Sequence, residues 1–334
     1  MKVLITGGAG FIGSTIASAC LDSGITPVIL DNLTTGRREF TAGRPFYEGD
    51  IADGDLVDQA FRDHPEIFAV IHCAALIVVP DSVAQPHRYY QENLSKTIEL
   101  VGHLLRNGCR RLIFSSTAAM YQPGPDFAVD ETSALDPVSP YARTKSMVET
   151  VLADIATATA FRVLSLRYFN PIGADPQMRT GLQLPRPTHA LGKMIEAIET
   201  GTPFEITGTD YPTADGTGIR DYIHVWDLAR AHVAALREFD VLLGSDEPSS
   251  AVINLGTGRG TTVRELTDAF SEVMGVPLHV VEAPRRPGDT VGAYTRNDLA
   301  RRLLRWECEF SIVGGVRHSL EWATHRDKVL GSAD

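Results

Sequence analysis

A tyrosine and a lysine four positions apart, Tyr141 and Lys145, lie in the segment SPYARTKSMVE, whose other residues are compatible with a helix. That spacing brings the two side chains to one helical face. A phenol loses its proton only at about pH 10, so Tyr141 can act as a base at neutral pH if the Lys145 ammonium stabilises its phenolate. The same spacing is compatible with an exposed pair on a surface helix, so the interpretation depends on partner groups elsewhere in the chain.

A second group of polar side chains ends an apolar run. RRLIFSST places three hydroxyl residues, Ser115, Ser116 and Thr117, where a buried strand would end. In open α/β sheets, ligands collect at the carboxyl ends of the strands. The hydroxyls are therefore candidates for contact with a substrate or cofactor, although they could also satisfy backbone groups at the strand end.

A glycine-rich turn, TGGAGFIGS, follows the first apolar run and carries Gly7, Gly10 and Gly13. Glycines at this spacing permit a tight turn and let the backbone approach a pyrophosphate, whose charge is stabilised by the N-terminus of the next helix. Asp31 ends the second apolar run, where a carboxylate can accept hydrogen bonds from both adenosine ribose hydroxyls and would repel a 2′-phosphate. The pattern predicts a dinucleotide site that prefers NAD to NADP.

Neighbouring residues leave parts of this prediction open. Arg37 and Arg38 follow Asp31 closely and could bind the 2′-phosphate of NADP. Asp31 itself could serve only to cap a turn. Asp50, in the GDI that follows the third apolar run, could reach the adenine amino group or belong to a solvated loop.

Short apolar runs alternate with helix-length segments through the first half of the chain, which predicts crossover units and a parallel sheet. Consecutive apolar residues within KVLIT and TPVILD are expected when both sheet faces are covered. After Asn170 the composition becomes rich in proline and glycine, and an acidic, serine-rich surface loop is expected at 244–250. We predict an α/β fold with a Rossmann-type doubly wound parallel sheet in residues 1–170, to which 218–260 return, and a smaller C-terminal substrate-binding lobe, mainly 171–334.

Composition and charge restrict the function further. The 334 residues, 43% hydrophobic and 22% charged, suffice for a sizeable core. A formal net charge of -11 argues against sequence-independent nucleic-acid binding. The start of the chain does not resemble a signal peptide, and no stretch approaches the roughly twenty apolar residues that span a bilayer, so a cytoplasmic protein without a membrane partner is expected. The four scattered cysteines predict neither a metal site nor a disulfide framework.

Together these motifs resemble those of the extended short-chain dehydrogenase/reductases, and among them the UDP-glucose 4-epimerases. The resemblance runs in order along nearly the whole chain, through TGGAGFIGS, GDI, SST, YARTK, LRYFNPIGA, DYPTADGTGIRDYIHVWDLA and APRRPGD. The run that begins DYPT is the most family-specific of these. The resemblance implies an NAD-dependent enzyme that epimerises C4 of a UDP-hexose through a 4-keto intermediate and keeps NAD bound between turnovers.

The resemblance also implies roles for individual residues. Tyr141 would take the proton of the sugar 4-hydroxyl, directly or through Thr117, and Lys145 would stabilise the phenolate. The implied cofactor contacts are Gly7, Gly10, Phe11, Ile12, Gly13, Asp31, Asn32, Asp50, Ile51, Ala74, Asn93, Ser115, Tyr141, Lys145 and Tyr168. The implied substrate contacts are Thr117, Tyr141, Asn170, His189, Thr207, Arg220, Arg286 and Ala293. From the residues alone, the two arginines could equally form ion pairs and Tyr168 could be a core residue.

Several positions depart from the usual family pattern. Ile77 stands where a lysine commonly contacts NAD, Thr207 where an aromatic residue lies near the uracil, and His189 where an asparagine is usual. Ala293 falls on the position that limits sugar size, and a small residue there leaves room for a 2-acetamido group. Both UDP-glucose/galactose and their N-acetylated counterparts are therefore expected as substrates, unless Tyr294 occupies the space.

Two alternatives to an epimerase remain at this point. The first is another nucleotide-sugar enzyme acting on a dTDP- or UDP-sugar; Ala118 and Ala119 argue against dehydratases and decarboxylases, which carry acidic residues there. The second is a non-catalytic NAD-sensing regulator, although such proteins tend to lose the tyrosine and lysine. The resemblance further implies a homodimer formed by two helices of the first domain.

Overall fold

The computed structural model describes residues 1–184, 189–244, 249–285 and 290–331. Arg286 and most of the surface loop predicted at 244–250 lie outside these ranges. Strands β1 to β15 and helices α1 to α11 are numbered along the chain. The helices are α1 Phe11–Asp22, α2 Gly54–Asp63, α3 Val79–Ala84, α4 Pro86–Tyr89, α5 Lys96–Arg106, α6 Pro140–Ala158, α7 Ala190–Thr200, α8 Val225–Leu242, α9 Val263–Met274, α10 Asp298–Leu304 and α11 Ile312–Leu330.

A seven-stranded parallel sheet forms the centre of the molecule, with strand order β12-β7-β5-β4-β1-β2-β3. Its members are β1 Lys2–Thr6, β2 Thr26–Asp31, β3 Phe46–Glu48, β4 Ile67–His72, β5 Arg111–Thr117, β7 Arg162–Tyr168 and β12 Ser250–Leu255. The chain runs outward from β1 through β2 and β3, then returns to place β4 on the other side of β1. That reversal creates a switch point between β1 and β4, where parallel sheets bind ligands at their carboxyl edge.

Helices cover both faces of this sheet, which explains the continuous apolar runs in its strands. Ile5 and Ile71 point to one face and pack with residues of α1, α8 and α10. Their neighbours Leu4 and Val70 point to the other face and pack with residues of α2, α5 and α6. The predicted α/β class with a doubly wound parallel sheet is confirmed.

Short strands outside the main sheet form two-stranded pairs. Four pairs form: β8 Asn170–Ile172 with β11 Tyr222–His224, β9 Phe204–Thr207 with β14 Val280–Ala283, β10 Ile219–Arg220 with β13 Thr261–Thr262, and β6 Ala128–Val129 with β15 Tyr294–Thr295. A separate apolar cluster joins α7, α9 and β9 through Met194, Phe204 and Phe270. Within the stretch 218–260, β12 joins the main sheet while β10 and β11 pair outside it.

The helices in the described part of the chain include none that is long and apolar enough to cross a membrane.

Candidate active site

Close backbone packing at the switch point depends on glycine. Gly7, with φ of +70°, follows β1, and a Cβ added there would lie 2.6 Å from the amide nitrogen of Ala74, just beyond β4. A Cβ on Gly13, in the first turn of α1, would lie 2.9 Å from the Gly7 carbonyl carbon. Any larger residue would push the turn outward, so the glycines keep a shallow backbone cradle between β1, β4 and α1.

The start of α1 and the end of β2 provide the polar groups of this cradle. Gly10 precedes α1 with an extended backbone and no side-chain cap, which leaves the amides at Phe11 and Ile12 as donors for an anion. Asp31 accepts from the amide of Ala9 at 2.9 Å and from that of Leu33 at 2.8 Å. These bonds orient the buried carboxylate while leaving it further acceptor capacity. The residues present therefore fit a dinucleotide.

The two arginines that could have favoured a 2′-phosphate are engaged elsewhere. Arg37 donates from Nη2 to the carbonyl of Leu330 at the end of α11, at 3.2 Å. Arg38 forms an ion pair with Glu48 on β3. Both guanidinium groups thus have protein partners, while Asp31 keeps its carboxylate at the end of β2, and this arrangement favours NAD.

Asp50 and its neighbours form the outer end of the same site. Lys96 donates to Asp50 at 2.6 Å, and Asp50 also accepts from the amide of Ala52. Burial alone would raise the pKa of Asp50, but Lys96, Ala52 and Asn32 bind the charged form and lower it. Ile51 is buried in the core beneath them. The carboxylate is therefore held in place and ionised at neutral pH.

Helix α6 begins where its first turn can face the end of β5. The Ser139 hydroxyl caps the helix by accepting from the amide of Ala142 at 3.1 Å, and Pro140 opens the first turn. Tyr141 therefore lies in the first turn after the cap, and its phenol interacts with the hydroxyl of Thr117, the last residue of β5. The sequence-predicted hydroxyl and phenol are brought together.

Lys145, one turn further along α6, is buried against the same strand. Its Nζ donates to the carbonyl of Ser115 at 2.8 Å and lies 4.6 Å from the centre of the Phe114 ring. Burial lowers the pKa of Lys145 to about 8, although Cys73 and Glu149 act in the opposite direction. At neutral pH the side chain remains an ammonium, so a positive charge is available next to the strand end.

Burial raises the pKa of Tyr141, and the interaction with the Thr117 hydroxyl only partly offsets that effect. The sequence predicts that Lys145 makes the phenol more acidic. Here the cost of burying a phenolate outweighs that stabilisation, because Lys145 directs its ammonium to the Ser115 carbonyl. A further positive charge close to the phenol would bring Tyr141 toward ionisation.

Ser115 is the centre of a buried cluster that includes three further residues. Its Oγ lies 3.1 Å from the Cys73 sulfur and 3.5 Å from His232 Nε2, and it interacts with the Tyr168 phenol. The rings of Tyr168 and His232 meet edge to face. Cys73 and His232 are neighbours that sequence analysis missed; Cys73 did carry a signal, because it directly follows the β4 run.

Asn93 connects the loop after β4 to α6 through three hydrogen bonds. Its Oδ1 accepts from the amide of Leu76 at 2.8 Å, and its Nδ2 donates to the Leu76 carbonyl and to Thr144 Oγ1 at 2.9 and 3.2 Å. The loop after β4 is thereby tied to α6 beside Tyr141. The predicted contact of Asn93 with the cofactor stays a prediction, since its amide already serves this bracing role.

A neutral histidine that sequence analysis also missed joins β1, β4 and α5. Thr97 donates to the carbonyl of Asn93, so it accepts from His72 Nε2 at 2.9 Å, and Thr6 donates to His72 Nδ1 at 2.7 Å. Burial, aided by Lys145, lowers the pKa of His72 to about 3. The ring is therefore uncharged and serves to hold the strand ends together.

Arg220 holds the chain segment that leads to Ala293. Its Nη1 donates to the carbonyls of Ile219 and Val291 at 2.7 and 2.8 Å, and its Nη2 to that of Thr290 at 3.2 Å. Gly292, with φ of +102°, lets the backbone pass directly against the guanidinium. Arg220 and Ala293, which the sequence predicts as substrate contacts, thus belong to one local structure.

Ala293 packs beside the strand end that carries Thr117, in a small cluster with Ala118, Tyr121, Val129 and Phe169. The ring of Tyr294 lies instead against Gly260. Adjacent residues of a strand point to opposite sides, and β15 begins at Tyr294. Ala293, rather than Tyr294, is therefore the residue that faces this cluster.

The remaining predicted residues lie in different local settings. Asn170 is exposed at the start of β8, and Thr207 ends β9. His189 caps α7 by accepting from the amide of Gly192 at 3.2 Å, and it lines a small pocket with Phe11 and Trp322. Arg286 lies outside the described residues.

Replacing Gly13 by alanine is expected to lower the affinity for NAD by at least tenfold, about 1.4 kcal/mol, because the new Cβ would displace the Gly7 turn. NAD released from the purified, denatured protein and a titration with NAD would measure the effect. Gly314→Ala, in α11, is the matched control, since its Cβ would make ordinary 3.6 Å contact with Phe310. Equal NAD affinity in the two variants would contradict the role given to the glycine cradle.

Comparison with known proteins places the fold and site among characterised families. The profile of the NAD dependent epimerase/dehydratase family matches residues 3–283. The chain is 42% identical to UDP-glucose 4-epimerase from Azospirillum brasilense over 335 residues, covering 99% of this chain and 94% of that protein.

Solved structures agree with this assignment. The UDP-glucose 4-epimerase of Stenotrophomonas maltophila, with bound NAD and formylated UDP-arabinopyranose, has a TM-score of 0.91 at 35% identity, covering 98% of this chain and 99% of its own. The UDP-Glc/GlcNAc 4-epimerase of Campylobacter jejuni has a TM-score of 0.81 at 36% identity, and the match covers 97% of this chain and 99% of that chain. The chain therefore belongs to the NAD dependent epimerase/dehydratase family, and within it to the UDP-glucose 4-epimerases.

Proposed function

We propose that this protein is an NAD-dependent 4-epimerase that interconverts UDP-glucose and UDP-galactose. The observation that carries the proposal is that the Tyr141 phenol and the Thr117 hydroxyl interact at the end of β5, with the Lys145 ammonium hydrogen-bonded to the same strand. A phenol, a hydroxyl relay and a buried cation are the groups that proton transfer at a sugar hydroxyl requires.

The glycine cradle, the amides that begin α1 and the Asp31 carboxylate are the groups proposed to hold NAD. When bound, NAD supplies a hydride acceptor and donor for C4 of the sugar. The NAD contact that a lysine commonly makes at this position would be absent, because the aliphatic side chain of Ile77 cannot donate a hydrogen bond. We therefore expect cofactor retention to depend on the remaining contacts.

The protein's own contribution is proton transfer and orientation. Tyr141, as the phenolate, removes the proton of the 4-hydroxyl directly or through Thr117, while C4 loses hydride and becomes the carbonyl carbon of a 4-keto sugar. After the sugar presents its other face, hydride returns to C4 and Tyr141 gives back the proton. Lys145 stabilises the phenolate before it takes up the proton and after it has given the proton back. No net oxidation results.

The immediate surroundings of Thr117 favour epimerisation over elimination. Ala118 and Ala119 follow it and provide neither the acid nor the base that loss of water would need. The intact Tyr141 and Lys145 argue against a non-catalytic NAD sensor. The substrate would lie between the Rossmann part of the chain, 1–170, and the C-terminal lobe, 171–334, with Arg220 and Arg286 near its diphosphate.

Conversion of UDP-galactose to UDP-glucose by the purified protein with NAD tests this function. Tyr141→Phe is expected to reduce kcat by about 10² to 10⁴-fold, the usual contribution of a general base. Tyr47→Phe is the matched control, because the Tyr47 hydroxyl bonds to Asp63 near the sheet edge. An inactive wild type that instead converts a dTDP-sugar would refute the proposal, as would full activity in Tyr141→Phe.

We propose that UDP-N-acetylglucosamine and UDP-N-acetylgalactosamine are also substrates. Ala293 and Ala118 both present single methyl groups to the cluster beside Thr117, while the Tyr294 ring lies against Gly260. A small residue at position 293 is proposed to leave room for an acetamido group. The resemblance to the bifunctional enzyme of Campylobacter jejuni supports the same range of substrates.

Ala293→Tyr is expected to lower kcat/KM for UDP-N-acetylgalactosamine by at least about tenfold, because the added ring would compete for the space of the acetamido group. Turnover of UDP-galactose should change by less than about threefold, since hexoses lack that group. Kinetics on both sugars would measure the ratio. A wild type that does not convert UDP-N-acetylgalactosamine would contradict the proposal for N-acetylated sugars. It would not affect the proposal for UDP-glucose and UDP-galactose.

We propose that the protein is a homodimer in which the outer faces of α5 and α6 from two copies meet. Ile98 on α5 and Met147 on α6 are exposed, and Gly102 leaves open space on the same side of α5. Exposed apolar and small residues permit close helix packing. A cytoplasmic location is part of the proposal and fits the four free thiols.

Light scattering should give twice the chain mass of 36.3 kDa for the wild type. Ile98→Glu should shift the protein toward monomer, because a charge would be buried at the interface. Val241→Glu, on the exposed side of α8, should remain dimeric and serves as the control. A monomeric wild type at micromolar concentration would refute the dimer.

A further inference from the structure

A buried ion pair lies one helical turn beyond Lys145. The Glu149 and Arg167 side chains are only 10% and 7% exposed, and they meet with Nε–Oε1 and Nη2–Oε2 distances of 3.0 and 2.5 Å. In every other ion pair among the described residues, at least one of the two side chains is 30% exposed or more. Burying two charges is costly unless they are closely paired and further hydrogen-bonded.

Both members of the pair have those further bonds, and the bonds lead to the site. Glu149 also accepts from the hydroxyl of Ser116. Arg167 donates from Nη1 to the Tyr121 hydroxyl at 2.8 Å, and Tyr121 donates to Asn254 on β12 at 2.7 Å. The network therefore connects α6 with β5, β7 and β12 at the carboxyl ends of these strands.

Three contacts join α6 to the last three residues of β5. The Tyr141 phenol interacts with the Thr117 hydroxyl, Lys145 donates to the carbonyl of Ser115, and Glu149 accepts from the hydroxyl of Ser116. Positions four and eight after Tyr141 lie on the same face of the helix. Three successive turns of α6 are thus each attached to one of three consecutive residues of the strand.

On the β7 side of the ion pair, Arg167 directly precedes Tyr168, whose phenol interacts with Ser115. A displacement of Arg167 would therefore move the strand end that carries Tyr168. The bidentate geometry between guanidinium and carboxylate resists such a displacement, since two parallel hydrogen bonds fix both distance and orientation.

We propose that Glu149 and Arg167 are positioning residues for proton transfer, which keep α6 in register with the ends of β5 and β7 so that Tyr141 stays aligned with Thr117. The inference rests on the proposed epimerase function. It assigns the pair a role beyond stability, because apolar residues of similar size could fill the same volume without the cost of buried charge.

The charge of Glu149 also acts on Lys145. It opposes the effect of burial on the pKa of Lys145, as does Cys73 from the end of β4. His72 is neutral, and Arg167 would leave an unpaired positive charge nearby if Glu149 were neutralised. Loss of the carboxylate charge should therefore lower the pKa of Lys145 and remove its ammonium at a lower pH.

Glu149→Gln tests the proposal, because it keeps the size of the side chain and an acceptor for Ser116. The expected result is a fall in kcat for UDP-galactose of about 10- to 100-fold, the latter being the loss that a 1 Å misplacement can cause. KM and bound NAD should change by less than about twofold. The alkaline limb of the kcat–pH profile should move to lower pH.

Two further variants separate positioning from stability. Asp240→Asn breaks the exposed ion pair with Arg111 at the opposite end of β5 and should leave kcat unchanged. Arg167→Lys retains the charge but not the fork, so kcat should fall while the pH profile stays close to that of the wild type. Melting temperatures measured alongside allow kcat to be compared where every variant is folded.

A Glu149→Gln protein with a lower melting temperature but normal kcat and an unshifted pH profile would overturn the proposal, because the pair would then serve stability alone. A wild type without epimerase activity would overturn the proposed function and this inference with it. An active wild type beside an unaffected variant refutes the positioning role only.

Discussion

The alignment of helix α6 with the end of strand β5 is the contact on which the site depends. A proton passes between two oxygens only when their distance is held within a few tenths of an ångström, and both oxygens here belong to side chains from different elements. The helix is attached through hydrogen bonds to the strand's carbonyl and hydroxyl groups, which have fixed positions within the sheet. The parallel sheet thus supplies the rigidity, and the helix supplies the reactive groups.

Burial shifts the pKa values of the two groups on that helix in opposite directions. It disfavours the charged forms of both Tyr141 and Lys145, so the pKa of the phenol rises and that of the ammonium falls. The protein's own groups therefore keep Tyr141 a neutral phenol at neutral pH, and the positive charge of an oxidised nicotinamide would favour its phenolate.

Local patterns in the sequence were sufficient for the fold class and for the reactive pair. Apolar runs and glycine turns are determined by near neighbours, so the parallel sheet and the cradle could be predicted. The partners that a side chain finds in distant parts of the chain could not be predicted. Arg37 and Arg38 looked available for a phosphate, but their partners come from the end of α11 and from β3.

The same limit applies within the candidate site. Asn93 gave no signal that its amide would brace the loop after β4. Nor could spacing reveal that burial outweighs the effect of Lys145 on Tyr141, because the depth of a side chain is a property of the packed molecule. Arg167 did carry a signal, since a charged residue inside an apolar run must find a buried partner. The structure identifies that partner as Glu149.

The close passage of Gly292 against Arg220 couples the position of this arginine to the segment that carries Ala293. The guanidinium is held by carbonyls of the segment that ends at Ala293, and a side chain at position 292 would occupy the space of that guanidinium. Redesign of sugar selectivity through this segment would therefore also move an arginine on β10. Variants selected for a bulkier sugar should be sought with both regions randomised together, because changes in one constrain the sequences that the other tolerates.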